Sequence, residues 1–174
     1  LPKVVVVIPA RMGSTRFPGK PLKKILGISM IEHIYKRAAL CKQVDDIAIA
    51  TCDQEIIDAC ESFGAKAIMT SAKHDRSVDR VAEAINNLNC DIVVNLQGDE
   101  PMVTPYIIQE LINVMNSDEL VDCANLVSKI DKEEFLNPNT VKIVNDIYDN
   151  IIYFSREPIP SKSKSSNDNF ENYK

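Results

Sequence analysis

Val4-Val-Val-Val-Ile8 is β-branched at every position and stops at Pro9. The run lacks the polar alternation of a strand with one wet face, so it reads as a strand buried on both sides. Such a strand needs helices above and below it, and the following sequence supplies them. Ser29-Met-Ile-Glu32 has the spacing of a capping box, and Ile31, Ile34, Tyr35 and Ala38 recur at helical spacing up to Leu40. Asp46 to Thr51 reads as a second strand. Asp53 then caps a helix carrying Ile56, Ile57 and Cys60, with Gly64 as its left-handed stop. Ala65 to Thr70 predicts a third strand, Val78 to Leu88 a third helix, and Asp91 to Leu96 a fourth strand. Thr104-Pro105 opens another helix.

This alternation implies right-handed crossovers and a doubly wound α/β fold, a mostly parallel sheet with helices on both faces. After residue 120 the pattern changes. Ala124 to Ile130 and Val141 to Val144 read as strands, and the polar stretch 145–150 reads as a turn leading to Ile151 to Phe154. An antiparallel hairpin near the C-terminus is therefore expected to finish the sheet. A nucleotide-binding α/β domain is expected over 1–160. The Ser/Lys/Asn-rich residues 161–174 read as a flexible loop or tail.

The 174 residues suffice for one domain with a real core and are too few for two of ordinary size. Twenty Lys and Arg against 25 Asp and Glu leave a net charge of -5, without the basic excess of nucleic-acid binders. Any anion site must be local. The five cysteines show no CxxC spacing, and only His33 and His74 could join them in a zinc site. Buried, unpaired thiols in a reducing compartment are the simpler reading, and no apolar run approaches a membrane span. A cytoplasmic location is expected.

Ligands of open α/β sheets bind beyond the carboxyl ends of the strands. After the first strand, Pro9-Ala-Arg-Met-Gly-Ser-Thr-Arg-Phe-Pro-Gly-Lys-Pro-Leu22 gathers Arg11, Arg16 and Lys20 around Gly13 and Gly19. Glycines let backbone N–H groups face phosphate oxygens, Arg pairs them bidentately and Lys adds a mobile charge. The segment is neither GxGxxG nor GxxxxGK[ST], since Pro21 follows Gly19-Lys20, which argues against a dinucleotide oxidoreductase and a P-loop ATPase. After the fourth strand, Gln97-Gly-Asp-Glu-Pro101 presents Asp99, a carboxylate suited to Mg²⁺ beside phosphate oxygens. It also reads as a plain acidic turn. His74 and Ser77 in the segment Thr70 to Arg80 could line a base or ribose pocket, while Asp79, Arg80 and Glu83 could equally form a charged helix face. Arg156 after Tyr153-Phe-Ser could clamp a carboxylate or make a surface ion pair.

Taken in order, Ile8 to Leu22, Asn95-Leu-Gln-Gly-Asp-Glu-Pro101, Asn137-Pro-Asn-Thr-Val-Lys142 and Tyr153-Phe-Ser-Arg156 resemble the 3-deoxy-manno-octulosonate (KDO) cytidylyltransferase, or CMP-KDO synthetase, family. The resemblance implies a Rossmann-like nucleotidyltransferase that transfers CMP from CTP to the anomeric hydroxyl of KDO for lipopolysaccharide synthesis, with Mg²⁺ as cofactor. Ala10, Arg11, Ser14 and Lys20 would hold CTP, with Arg11, Lys20 and Asp99 acting in catalysis. Gln97 would lie between nucleotide and sugar, Asp99 would ligate the metal and Arg156 would approach the sugar acid. Full-length members are homodimers that continue past the Tyr-Phe-Ser-Arg segment with a second metal-binding Asp and further sugar contacts, so a C-terminal portion is expected to be missing here. The chain also departs from the family's small-residue turn after the His, with the bulkier Arg76 and Val78. An inactive CTP-binding module, or transfer to another ulosonic acid, are the alternatives.

Overall fold

A computed structural model describes residues 1–13, 17–159, 161 and 172–173. They fall into two compact units, 1–124 and 125–174. The boundary lies where strands and helices cease to alternate.

The first unit is built on β1 (Val4–Pro9), buried along its whole length. β4 (Asp46–Thr51) and β6 (Ile92–Asn95) pair with it on either side, and β5 (Lys66–Met69) pairs with β4. All pairings are parallel, giving the order β5-β4-β1-β6. Between β1 and β4 come a two-residue-stranded hairpin, β2 (Lys24–Ile25) with β3 (Ile28–Ser29), and helix α1 (Met30–Ala38). Helices α2 (Gln54–Ser62), α3 (Ser77–Ile85) and α4 (Pro105–Ser117) follow β4, β5 and β6.

The side-chain alternation of β1 divides the core into two layers. Val4, Val6 and Ile8, with Ile47 and Ile49 of β4, pack against Ile31 and Ile34 of α1, Ile56 and Cys60 of α2, and Ile108 and Ile112 of α4. Val5 and Val7, with Ala50, meet Val81 and Ala84 of α3 on the opposite face. The valine run is thus buried on both sides, as its pattern requires. Burial pushes the Cys60 thiol up to about 11, so it is an inert core group, and all five cysteines are free. Among the described residues, no helix is long and apolar enough to cross a membrane.

Local signals differ in detail from the sequence expectation. Ser29 caps α1 by accepting the Glu32 N–H, but the Glu32 carboxylate pairs forward with Lys36 at 2.6 Å instead of closing a capping box. Gly64 adopts φ +77° after α2, the left-handed stop the sequence predicts. Thr104 and Pro105 start α4.

The second unit is an antiparallel sheet in the order β7-β10-β8-β9, formed by β7 (Lys129–Ile130), β8 (Lys142–Asn145), β9 (Ile151–Ser155) and β10 (Asn172–Tyr173). The β8–β9 hairpin is present, but it belongs to this separate sheet and does not extend the parallel one. Most of the expected strand over 124–130 is irregular and only β7 pairs, because the preceding residues have no ladder partner among the described residues. A short helix α5 (Lys132–Leu136) follows, with a full capping box between Asp131 and Glu134. Of the tail 161–174, only Ser161, Asn172 and Tyr173 are described, and the last two form β10.

Lys142 organises this unit. Its side chain is fully buried, and Nζ donates to the carbonyls of Asn137 and Thr140 at 2.9 Å each and to that of Arg156. One ammonium therefore satisfies the Asn137–Thr140 turn and the end of β9 together. Lys142→Met keeps the stem but removes the donor shared by three part-buried carbonyls. Hydrogen bonds to a charged group are worth about 1.5–3 kcal/mol each, so thermal melting should show a clear loss of stability, with faster amide exchange confined to 137–156.

Candidate active site

The segment leaving β1 is fixed at a few points. Ala10 is buried and its N–H continues the ladder to the Ala50 carbonyl at 2.9 Å. Arg11 is exposed. Met12 donates its N–H to Asp53 Oδ2 at 2.7 Å and accepts the Gly19 N–H on its carbonyl at 3.0 Å. Gly19 turns the chain at φ +69°, a conformation that favours glycine, and Lys20 opens a 3-10 turn through Leu22. Ser14, expected among the nucleotide contacts, lies outside the described residues, as does Arg16.

The segment leaving β6 passes directly over this one. The Leu96 N–H reaches the Val7 carbonyl at 3.0 Å, and Gly98 comes so close to Pro9 that an added Cβ would lie 2.4 Å from the Pro9 oxygen. Only glycine fits there. The approach carries Asp99 to Lys20: Nζ lies 3.0 Å from Asp99 Oδ2 across 79 residues of sequence. Gln97 sits beside them, its Oε1 accepting the Ser77 hydroxyl at 3.5 Å at the start of α3. Ala10, Lys20, Ser77, Gln97 and Asp99 are therefore gathered at the carboxyl ends of β1 and β6.

The third edge of the site is the loop from β5 to α3. Glu83, nearly two turns into that helix, accepts the Ser71 N–H at 2.9 Å and the His74 Nε2 proton. The Ser71 N–H and then the His74 ring hold the Glu83 carboxyl below its usual range. His74 is thus oriented by Glu83, with its proton placed on Nε2. Beneath the loop Arg80 is 3% exposed, donating Nη1 to Thr70 Oγ1 and Nη2 to Cys52 Sγ at 3.4 Å. Thr70 Oγ1 in turn donates to the Thr51 carbonyl at 3.0 Å. One guanidinium so ties the ends of β4 and β5 to α3. Arg76 and Val78, bulkier than a small-residue turn, are both exposed where α3 begins, so their extra volume meets solvent.

Arg156 lies in the second unit, where its guanidinium donates to the carbonyls of Pro138 and Asn139 at 3.3 and 2.9 Å. Among the described residues no group of three or more His, Cys, Asp or Glu side chains is placed to hold a metal. The donor set at Asp99 is a single exposed carboxylate facing a cation. That suits Mg²⁺, which takes one or two carboxylates and completes its shell with phosphate oxygens and water. Sequence reasoning treated Asp53 as a helix cap and Arg80 and Glu83 as a helix face. Their contacts depend on neighbouring strand ends, which no spacing within one segment reveals.

A family model described as cytidylyltransferase matches residues 5–173. The 3-deoxy-manno-octulosonate cytidylyltransferase of Thermodesulfovibrio yellowstonii is 46% identical over 165 residues, covering 90% of this chain and 64% of its own length. That of Escherichia coli is 44% identical over 158 residues, covering 91% and 64%. The solved structure of a CMP:2-keto-3-deoxy-manno-octonic acid synthetase complexed with CTP superposes with a TM-score of 0.92 at 40% identity, over 98% of this chain and 70% of that one. The chain thus spans less than two thirds of the length of these two curated relatives.

Two outcomes follow from the geometry. Gly98→Ala should lose about 1–3 kcal/mol, the usual cost of forcing atoms into filled space, in a urea melt. Gly13→Ala, where an added Cβ meets nothing within 4 Å among the described residues, should melt like wild type. Because the Glu83 carboxyl is depressed in the fold, its contribution is present above the ordinary value of 4.5 and is lost as pH falls through the folded value. Glu83→Gln should therefore flatten the acid limb of the melting-temperature profile below pH 4.5.

Proposed function

The chain belongs to the cytidylyltransferase family, and on that premise we propose that it transfers CMP from CTP to the anomeric hydroxyl of KDO, releasing pyrophosphate. One observation carries the reading: the Lys20 ammonium of a glycine-bearing cationic loop and the Asp99 carboxylate meet at 3.0 Å beyond the ends of β1 and β6. That is where a triphosphate would need cations and a carboxylate-held Mg²⁺ together. The CTP bound in the structural relative supports the choice of nucleotide.

In this reading the anomeric oxygen attacks the α-phosphorus in line. A new P–O bond forms while the bond from the α-phosphorus to the α,β-bridging oxygen breaks, the electron pair leaves with pyrophosphate, and the hydroxyl proton passes to water. Lys20 and Arg11 neutralise negative charge on the attacked and departing groups. The Ala10 and Met12 backbone, held by Ala50 and Asp53, keeps those cations in place. The loop carrying His74 and Ser77 borders the nucleoside, and Gln97 lies between nucleotide and sugar. Mg²⁺, held by Asp99, would supply further charge neutralisation at the phosphates. Catalysis is then mainly positioning and electrostatics. The five free cysteines fit a cytoplasmic setting, where CTP is available.

The test is pyrophosphate release from CTP and Mg²⁺ with and without KDO. KDO-dependent release that falls at least about 100-fold in Asp99→Asn, on the scale of losing one preorganised charge contact, is the expected outcome. CTP binding without release would assign the chain to a nucleotide-binding module, and absence of CTP binding in folded protein would sink the reading. Lys20→Ala should weaken CTP binding, and more strongly at low salt, where screening is least.

A further inference from the structure

Met12 is the point at which the segment after β1 is fastened. Its N–H goes to Asp53 Oδ2 at 2.7 Å, and its carbonyl takes the Gly19 N–H at 3.0 Å. Arg11 lies immediately before it, and Lys20 immediately after Gly19. Asp53 occupies the N-cap position of α2, where an aspartate ordinarily accepts a backbone N–H of its own helix. Here its side chain makes no such bond and reaches across to Met12. The Asp53 backbone is set independently: its N–H donates to Thr51 Oγ1 at 3.1 Å, and its carbonyl accepts the Ile56 N–H at 3.1 Å. The carboxylate is therefore a fixed post, built from β4 and α2, on which the loop hangs.

We propose that Asp53 is a positioning residue of the nucleotide site: by holding the Met12 N–H it fixes Met12 and, through the Gly19 N–H on the Met12 carbonyl, Gly19, and so the places where the adjoining Arg11 and Lys20 meet a triphosphate. The inference rests on the CTP reading above. An ordinary helix-capping role would make Asp53 matter to stability and not to ligand affinity, and two substitutions separate these roles. Ser is among the best N-caps but is too short to span to Met12. Asn keeps an oxygen that accepts the same bond without the charge.

The experiment compares Asp53→Ser and Asp53→Asn with wild type by thermal melting, by amide exchange at Met12 and Gly19 in nucleotide-free protein, and by CTP calorimetry with Mg²⁺. Asp53→Ser should melt like wild type, exchange faster at Met12 and bind CTP about tenfold more weakly, on the scale of one lost charge-assisted hydrogen bond. Asp53→Asn should recover most of both. Unchanged CTP affinity in Asp53→Ser overturns the proposal, as does an Asp53→Asn as impaired as Asp53→Ser. An Asp53→Ser that fails to fold also overturns it, by assigning Asp53 to the fold. If wild type itself binds no CTP, the functional reading above fails, and exchange at Met12 still decides whether Asp53 holds the loop: faster exchange in Asp53→Ser leaves the tether standing, and unchanged exchange overturns it.

Discussion

The tightest surroundings of any glycine among the described residues are those of Gly98 against the Pro9 carbonyl, where a single methyl group would lie 2.4 Å from oxygen. Two strand ends can cross this tightly only because β1 and β6 are neighbours in a parallel sheet and leave it on the same side. The crossing has a direct chemical result. It delivers a carboxylate from one loop to the ammonium of the other, although each loop alone carries mostly one sign of charge. The core beneath makes the crossing rigid. Val4 to Ile8 are almost wholly buried, and each such side chain contributes about 1.5–3 kcal/mol relative to exposure.

Around that crossing the other loops are held by side chains that reach from one strand end to the next. Arg80 spans Thr70 and Cys52, Glu83 spans Ser71 and His74, and Asp53 spans to Met12. All three start from helices whose apolar faces are locked on the sheet, so the polar side chains inherit fixed origins. Arg80 is the costliest of these to bury. Its hydrogen-bond partners Thr70 and Cys52 are neutral, and Glu83 provides the carboxylate charge nearby. A guanidinium in such a place tolerates Lys poorly, because a single ammonium cannot fork between Thr70 and Cys52.

Much of this is legible in the sequence. The both-face burial of β1, the four parallel strands with their helices, the Gly64 stop and the placing of Lys20 and Asp99 beyond strand ends all follow from local pattern. What escaped was relational. Alternating residues in 141–154 announce an antiparallel pair but do not say which sheet it joins, and it joined a separate one. The β2–β3 hairpin has strands of two residues, too short to show a period. Asp131 and Glu134 carry a capping-box spacing, but the α5 they open has only five residues, too few to show an apolar period. Arg80, Glu83 and Asp53 look like helix-surface residues in one dimension and become site residues only through contacts with other elements.

The Lys20–Asp99 pair itself contributes little to folding. Its side chains are 33% and 54% exposed, and a pair this wet is worth about 0–1 kcal/mol. That weakness suits a binding site. A strongly buried pair would have to be broken at a cost of several kcal/mol before either partner could turn to a ligand. In the proposed function a polyanion would draw Lys20 away and leave Asp99 to a divalent cation, a loss within the reach of one new charge-assisted hydrogen bond. The expensive terms, the buried valine run and the Gly98 crossing, are placed where nothing needs to move. The inexpensive one is placed where the proposed nucleotide would enter.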